Sequence, residues 1–149
     1  MFNLAYRQLS ELFEKLAAVK AVPLPAKGWV RAIRDGLGMS RRQLAERLGL
    51  STSRIQRLEQ DETTGAVTIK TLRRTAEAMD CVFVYAIVPR TSLDDTLQKQ
   101  AKYKAKQHLQ NISHSMSLEE QTLENKANQS MLDQLAEQMI KKSKHQLWD

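Results

Sequence analysis

Arg54 and Arg57 lie three residues apart in the segment TSRIQRLEQ, residues 52–60. Ile55 and Leu58 are spaced to face inward from a helix, which leaves the two arginines on its outer side. A guanidinium can donate two hydrogen bonds at once to O6 and N7 of guanine, the commonest base-specific contact to DNA. The type and spacing of these residues therefore suit base recognition in a major groove.

A second helix must position this segment, and residues 39–60, MSRRQLAERLGLSTSRIQRLEQ, provide one. Ser40 is a good N-cap for the first helix, and Ser51 or Thr52 is one for the second. Between them Gly49 can leave the first helix with a positive φ. This is the helix-turn-helix pattern. The alternative is an ordinary helical bundle in which two short helices are joined by glycine and the arginines are only solvated.

Positive charge is concentrated around this pattern. The chain of 149 residues has 23 Lys and Arg against 17 Asp and Glu. Residues 27–90 contain 12 basic and 7 acidic residues, whereas residues 91–149 contain 8 of each. A polyanion would use this excess, and the candidates to hold phosphates are Arg41 and Arg42, with Lys70 or Arg73 as additions.

Several function classes find no support. The single cysteine, Cys81, excludes an internal disulfide and a cysteine-based zinc site. The three histidines lack the spacing of a helical metal site, and there is no glycine-rich phosphate loop or serine elbow. We therefore expect no enzymatic activity, no cofactor and no metal. No apolar stretch reaches the roughly 20 residues that span a bilayer, and the N-terminus does not resemble a secretion signal. A cytoplasmic protein that does not bind membranes is expected.

Prolines and composition predict three parts. Pro23 and Pro25 end an amphipathic N-terminal helix, so residues 1–26 should form that helix and a linker. Residues 27–90 should form the DNA-binding domain. Residues 91–149 contain no glycine or proline and should form a helical extension that binds a partner.

A supporting helix is expected at residues 28–38. Its inner stripe would be Val30, Ile33 and Leu37, and Arg31 and Arg34 would face outward. At the end of the second helix of the pair, Glu59 is expected to be structural and to pair with a nearby arginine or a backbone N–H.

One segment has the composition of a β-strand. Residues 81–88 are β-branched and aromatic and are followed by Pro89. No second strand of comparable strength exists, so the simplest partner would be the same strand of another subunit, paired about a two-fold axis. The alternative is a core strand buried against its own helices. The predicted dimerisation residues are Cys81, Val82, Phe83, Val84, Tyr85, Ala86, Ile87 and Val88.

The chain resembles a known family through a series of short motifs. The series resembles the Cro/repressor type of helix-turn-helix domain and, more narrowly, the mobile mystery protein A family. The tail is similar to that family as well, so the resemblance covers most of the chain. The motifs are Gly28-Trp29, Gly38-Met39-Ser40, Gln43-Leu44-Ala45, Gly65, Thr71-Leu72, Ala76-Glu77-Ala78-Met79-Asp80-Cys81, Val84-Tyr85-Ala86, Val88-Pro89, His114-Ser115-Met116, Leu118-Glu119 and Leu147-Trp148-Asp149.

The resemblance implies a fold and a set of DNA contacts. The expected fold is mainly α, a five-helix-type Cro/repressor domain with one C-terminal dimerising β-strand and a helical C-terminal extension. Residues early in the recognition helix touch base edges in such proteins, and residues just after the first cap meet phosphate. The base contacts would be Thr52, Ser53, Arg54 and Arg57. The phosphate contacts would be Arg41, Arg42 and Gln43, with arginine standing at position 41 where the superfamily commonly has glutamine.

The resemblance also implies a partner. Such proteins are encoded beside a Fic-domain protein, and the pair resembles a toxin–antitoxin system. This chain would be the antitoxin and an autorepressor that binds a palindromic operator as a homodimer. Inhibitors of Fic proteins often use Ser or Thr, three residues, Glu, then Gly or Asn. Ser115 and Glu119 have this spacing, but Glu120 follows them. Helix capping and solvation explain these carboxylates otherwise.

Three further points stay open at the level of sequence. Trp148 in a polar tail should occupy a pocket on its own dimer or on a partner, which makes it a candidate for toxin inhibition. The chain could instead be a stand-alone transcriptional regulator of a mobile element. It could also be an inhibitor that acts only through protein contacts of residues 91–149.

Overall fold

The computed structural model describes residues 4–113 and 124–149. These residues contain seven α-helices: α1 (Leu4–Leu16), α2 (Trp29–Gly36), α3 (Arg41–Leu48), α4 (Thr52–Thr64), α5 (Ile69–Ala78), α6 (Leu93–Ser113) and α7 (Glu124–Lys142). Short 3₁₀ turns form at Ala17–Ala21 and His145–Leu147. The chain divides into two compact units, one of Ala18–Ile87 and one of Met1–Ala17 with Val88–Asp149.

Local capping defines the helix-turn-helix pair α3 and α4. Ser40 and Gln43 form a capping box, in which the Gln43 N–H donates to Ser40 Oγ and the Ser40 N–H donates to Gln43 Oε1. Gly49 ends α3 with φ 66°, and Ser51 Oγ accepts from the Arg54 N–H at the start of α4. The predicted Ser40 and Gly49 signals and the Ser51 alternative are thus confirmed.

Apolar side chains of α2, α3, α4 and α5 form the core of the unit Ala18–Ile87. Leu44 of α3 and Ile55 of α4 are fully buried, as their helical spacing predicts. Close crossing of α3 and α4 is helped by the small, buried Ala45. The buried apolar residues of this core are Val30, Leu44, Ala45, Leu48, Ile55, Leu58 and Met79.

The second unit pairs α6 with α7. Ala101, Ala105 and Ala136 are fully buried where these helices meet, and small side chains allow the backbones to approach. In the same unit α1 is held by Tyr6, whose hydroxyl donates to Asp94 Oδ1 of α6. Lys144 Nζ lies 4.3 Å from the centre of the Tyr6 ring, a cation–π contact.

The predicted β-strand at residues 81–88 is wrong. Among residues 4–113 and 124–149 there is no strand, and residues 81–89 have no regular structure. The alternative of a buried core strand is wrong as well, since Val82 and Ile87 are 87% and 88% exposed. The composition correctly favoured an extended chain, but a strand also needs a neighbour for its N–H and C=O groups, and the described chain contains none. Within the described residues the fold is therefore all-α, with four α-helices in the unit Ala18–Ile87.

The inner stripe of α2 also differs from its prediction. Val30 is buried as expected, but Leu37 is 56% exposed and Arg34, predicted to face outward, is buried. In the part of the chain that the structure describes, none of the helices has the length and apolarity to cross a membrane.

Candidate nucleic-acid interface

The outer face of α4 presents the predicted base contacts together. Ile55 and Leu58 anchor the helix in the core, while Thr52, Ser53, Arg54 and Arg57 are all exposed. The Ser53 hydroxyl lies 3.0 Å from the Ser51 hydroxyl, so it is coupled to the N-cap. Neither the Arg54 nor the Arg57 guanidinium makes a hydrogen bond or ion pair with another described residue. Both guanidiniums are therefore available for an external acceptor.

A shallow groove of about 180 Å³ flanks α4 on the side of these arginines. Arg54, Arg57 and Asp61 line it from α4, and Thr68 and Thr71 line it from the start of α5. Thr68 Oγ1 accepts from the Thr71 N–H and caps that helix. The groove thus places two arginines beside the N-terminal end of α5.

The three predicted phosphate contacts lie in the first turn of α3, and each already has an internal partner. Arg41 is half-buried and its Nε lies 2.9 Å from Glu59 Oε2. Arg42 is exposed and pairs with Glu46 one turn on. The Gln43 carbonyl accepts the Ser40 N–H in the capping box, which leaves its amide NH₂ for an outside acceptor. These partners orient the side chains before any ligand binds.

Glu59 joins three helices. Its Oε1 accepts from Arg34 Nε of α2 at 2.6 Å, and its Oε2 accepts from Arg41 of α3 at 2.9 Å. Arg34 also donates to the Met39 carbonyl at 2.8 Å and pairs with Asp35. Burial acts to lower the pKa of Arg34, but the hydrogen bonds and negative charges of Glu59 and Asp35 outweigh it, and the pKa is raised. The predicted structural role of Glu59 is confirmed.

A second carboxylate of α4 caps α2, which sequence reasoning missed. Glu62 accepts the Trp29 N–H at 2.7 Å and the Val30 N–H at 2.9 Å. Gly28 has φ 82°, and a Cβ built there would lie 2.6 Å from Glu62 Oε2. The signal was present in the sequence, because Glu62 follows Glu59 and Leu58 at helical spacing and so shares their inward face.

Three residues near the C-terminus, Ser115, Glu119 and Trp148, were predicted to inhibit a toxin. Ser115 and Glu119 lie outside the described residues. Trp148 is 58% exposed, whereas its neighbour Leu147 is 1% exposed and packs between α6 and α7. Gln100 Nε2 holds this end by donating to the Leu147 carbonyl at 2.6 Å. Within this unit Leu147 is therefore the packed side chain, and a pocket for Trp148 on its own dimer or on a partner remains a prediction.

Comparison with known proteins identifies the first unit. Residues 30–82 match the family model described as helix-turn-helix, of the Cro/C1 type. The comparisons with curated proteins and with solved structures gave no significant match. The chain contains a helix-turn-helix domain, which indicates a DNA-binding transcription regulator. The match does not extend to the mobile mystery protein A family or to a Fic-domain partner, and those remain predictions.

Proposed function

We propose that the protein is a sequence-specific DNA-binding repressor that reads its operator with Arg54 and Arg57. The observation that carries this proposal is that α4 presents both guanidiniums, one turn apart, exposed and without a partner among the described residues. The helix that carries them is anchored by the buried Ile55 and by the ion pairs of Glu59. Each bidentate arginine–guanine contact would discriminate by about 1–3 kcal/mol.

The first turn of α3 would set the position of α4 on the duplex. Arg41 and Arg42 would neutralise backbone phosphates, and the Gln43 amide would donate to a phosphate oxygen. Arg41 is especially suited, because Glu59 accepts only from its Nε, and its two terminal NH₂ groups have no hydrogen-bond partner among the described residues. These contacts carry no base information, so they would support binding to any sequence.

We further propose that two copies of the chain bind a palindromic operator, each copy reading one half-site with α4. Two copies would place α4 in successive major grooves, one helical turn of DNA apart. A strand at residues 81–88 does not form the interface of this dimer. Sedimentation of the protein with a one-half-site and a two-half-site duplex distinguishes one bound copy from two.

Selection from a random duplex pool tests the proposal directly. The purified full chain should enrich a motif with guanines at fixed positions in two inverted half-sites. Fluorescence anisotropy on the enriched duplex should then give affinity at least about a thousandfold tighter than on random DNA. DNA from immediately upstream of the protein's own coding region should contain the motif if the protein represses itself. No enrichment over the starting pool would overturn the proposal.

The finer proposal is that this repressor is the antitoxin of a Fic-domain toxin. It is supported by the sequence resemblance, which includes the tail motifs around Ser115, Glu119 and Trp148. It is compatible with a second compact unit that carries the tail and exposes Trp148. In this scheme one unit binds DNA and the other binds the toxin.

Separate substitutions test the two activities. Co-expressed with the neighbouring Fic-domain protein, the Arg57→Ala variant should lose repression and still neutralise the toxin. The Trp148→Ala and Glu119→Ala variants should do the reverse. A wild-type chain that neither binds nor neutralises that protein would reject the antitoxin role and leave a stand-alone regulator.

A further inference from the structure

A basic cleft lies on the flank of α4 opposite to Arg54 and Arg57. It has a volume of about 480 Å³ and opens to solvent. Three polar side chains of α4 line one wall, and basic side chains from the loop before α2, from α2 and from α3 line the other. The residues are Gln56, Gln60 and Thr63 on the first wall and Lys27, Arg31 and Arg41 on the second.

The position of Lys27 is fixed by the backbone around it. The Gly28 N–H donates to the Pro25 carbonyl at 3.0 Å, which closes a tight turn with Lys27 inside it. Glu62 then ties the next two N–H groups to α4. Lys27 is thereby held beside the helix that carries the recognition face, with its own side chain exposed.

The net charge of the cleft is positive, although Glu59 forms part of its lining. Glu59 is 4% exposed and shared by Arg34 and Arg41, so its charge is compensated from within. Arg31 Nε is buried without a hydrogen bond to a described residue and lies 3.6 Å from Asp35 Oδ2. Asp35 makes the shorter pair, 2.7 Å, with Arg34. The Arg31 guanidinium therefore retains donors for a ligand with negative charge.

A helix in the major groove of B-DNA has a phosphate backbone on each side, because the groove is only about 12 Å wide. Gln56, Gln60 and Thr63 repeat at helical spacing along the flank away from Arg54 and Arg57. Arg41, which we propose as a phosphate contact, lines the cleft together with Gln56 at the N-terminal end of this flank. Lys27 and Arg31 continue the same line of positive charge toward the C-terminal end of α4.

We propose that this cleft binds a backbone phosphate of the DNA strand that runs along that flank of α4. Lys27 and Arg31 would neutralise it, and the Gln60 amide would donate to it. The inference rests on the proposed DNA-binding function and extends the contact surface to Lys27, ahead of the matched helix-turn-helix residues 30–82.

Salt dependence of DNA binding tests the cleft. The Lys27→Gln/Arg31→Gln variant removes two charges, and the matched control Lys99→Gln/Lys106→Gln removes two from exposed positions of α6. Anisotropy on the selected duplex and on a scrambled duplex is measured across salt concentrations. The cleft variant should lower the slope of log K against log salt by about 2, while the control leaves it unchanged. The ratio of affinities for the two duplexes should stay the same, because phosphate contacts do not read sequence.

Three further measurements make the outcome decisive: the salt slope of a single variant, thermal melts, and the binding of inorganic phosphate. The Lys27→Gln single variant, which leaves Arg31 and its ion pair intact, should lower the slope by about 1, and a thermal melt verifies that each variant is folded. An unchanged slope in folded variants overturns the cleft while leaving DNA binding intact. A cleft variant that loses inorganic phosphate binding but keeps the wild-type slope would likewise overturn it and indicate a small-anion site. Wild-type protein without any sequence preference would instead reject the proposed function itself.

Discussion

Arg34 of α2 and Glu59 of α4 form a buried ion pair, with Arg34 Nε 2.6 Å from Glu59 Oε1 and both side chains at least nine-tenths covered. The pair connects α2 to α4, and Arg41 of α3 binds the second carboxylate oxygen of Glu59. Removing one partner of such a pair leaves a buried charge without compensation, which costs more than the pair itself contributes. The packing of α4 against α2 and α3 therefore depends on Glu59.

The Glu59→Gln variant should be destabilised by about 3 kcal/mol. This is the lower end of the usual cost of breaking a buried pair, because Asp35 still neutralises part of the Arg34 charge. Urea denaturation measures the change. The matched control is Glu46→Gln, which breaks the exposed pair with Arg42 and should cost less than about 1 kcal/mol. Equal stability of the two variants would show that Glu59 does not hold the helices together.

Substitution of Gly28 by alanine should destabilise the protein by more than about 1 kcal/mol. Alanine would have to keep a backbone φ of 82°, which residues with a side chain rarely adopt, and its Cβ would displace Glu62 from the N-terminus of α2. The control is Gly36→Ala, where nothing lies within 4 Å of the added Cβ. It should be neutral or stabilising, since alanine favours the helix. Thermal melts compare them, and a Gly28→Ala variant as stable as Gly36→Ala would contradict the capping role of Glu62.

Tyr6 should ionise at a higher pH than an ordinary tyrosine. Burial, the hydrogen bond to Asp94 and the negative charge of Asp94 raise its pKa from 10.0 to about 12. Absorbance titration of wild type against Tyr6→Phe isolates this group, and Asp94→Asn should return its pKa toward 10.

The raised pKa of Tyr6 also predicts the pH dependence of stability. Because the folded-state pKa is the higher one, the contribution of Tyr6 is complete below pH 10 and is lost as the pH rises from 10 to about 12. The Tyr6→Phe variant should lack this alkaline loss, whereas Tyr103→Phe, a change at an exposed tyrosine, should retain it. The same alkaline profile in wild type and Tyr6→Phe would contradict the assignment.

At the end of the second unit, Leu147→Ala should cost about 2–5 kcal/mol and Trp148→Ala less than about 0.5 kcal/mol. Leu147 is buried between α6 and α7, so its truncation leaves a cavity, whereas Trp148 is exposed. Thermal unfolding of the two variants gives the comparison. The reverse order of stability would mean that Trp148 is the packed residue of this segment.

The sequence predicted those features that depend on neighbours close along the chain. The Ser40 and Gly49 signals concern atoms a few residues apart, and the burial of Leu44 and Ile55 follows from helical periodicity. The exposed position of Arg57 followed from the same periodicity, since Leu58 and Ile55 face inward.

Features that depend on partners distant along the chain were harder to predict from the sequence. Residues 81–88 have strand composition, but local preference does not supply a second strand. The helical pattern of residues 28–38 placed Arg34 outside, but contacts with the Met39 carbonyl, with Asp35 and above all with Glu59, 25 residues away, compensate its buried charge. The burial of Leu147 was not predicted, because it depends on the path of the chain after α7, which brings this residue to the core between α6 and α7.

The most direct test of the central claim compares Arg57→Ala with Arg73→Ala for base preference on the selected operator. Both variants remove one exposed arginine, from α4 and α5 respectively. Anisotropy on duplexes with every single base change should show that Arg57→Ala loses about 1–3 kcal/mol of discrimination at one guanine of each half-site. Arg73→Ala should keep the full preference at every position. Retention of that guanine preference by a folded Arg57→Ala variant would contradict recognition through the outer face of α4.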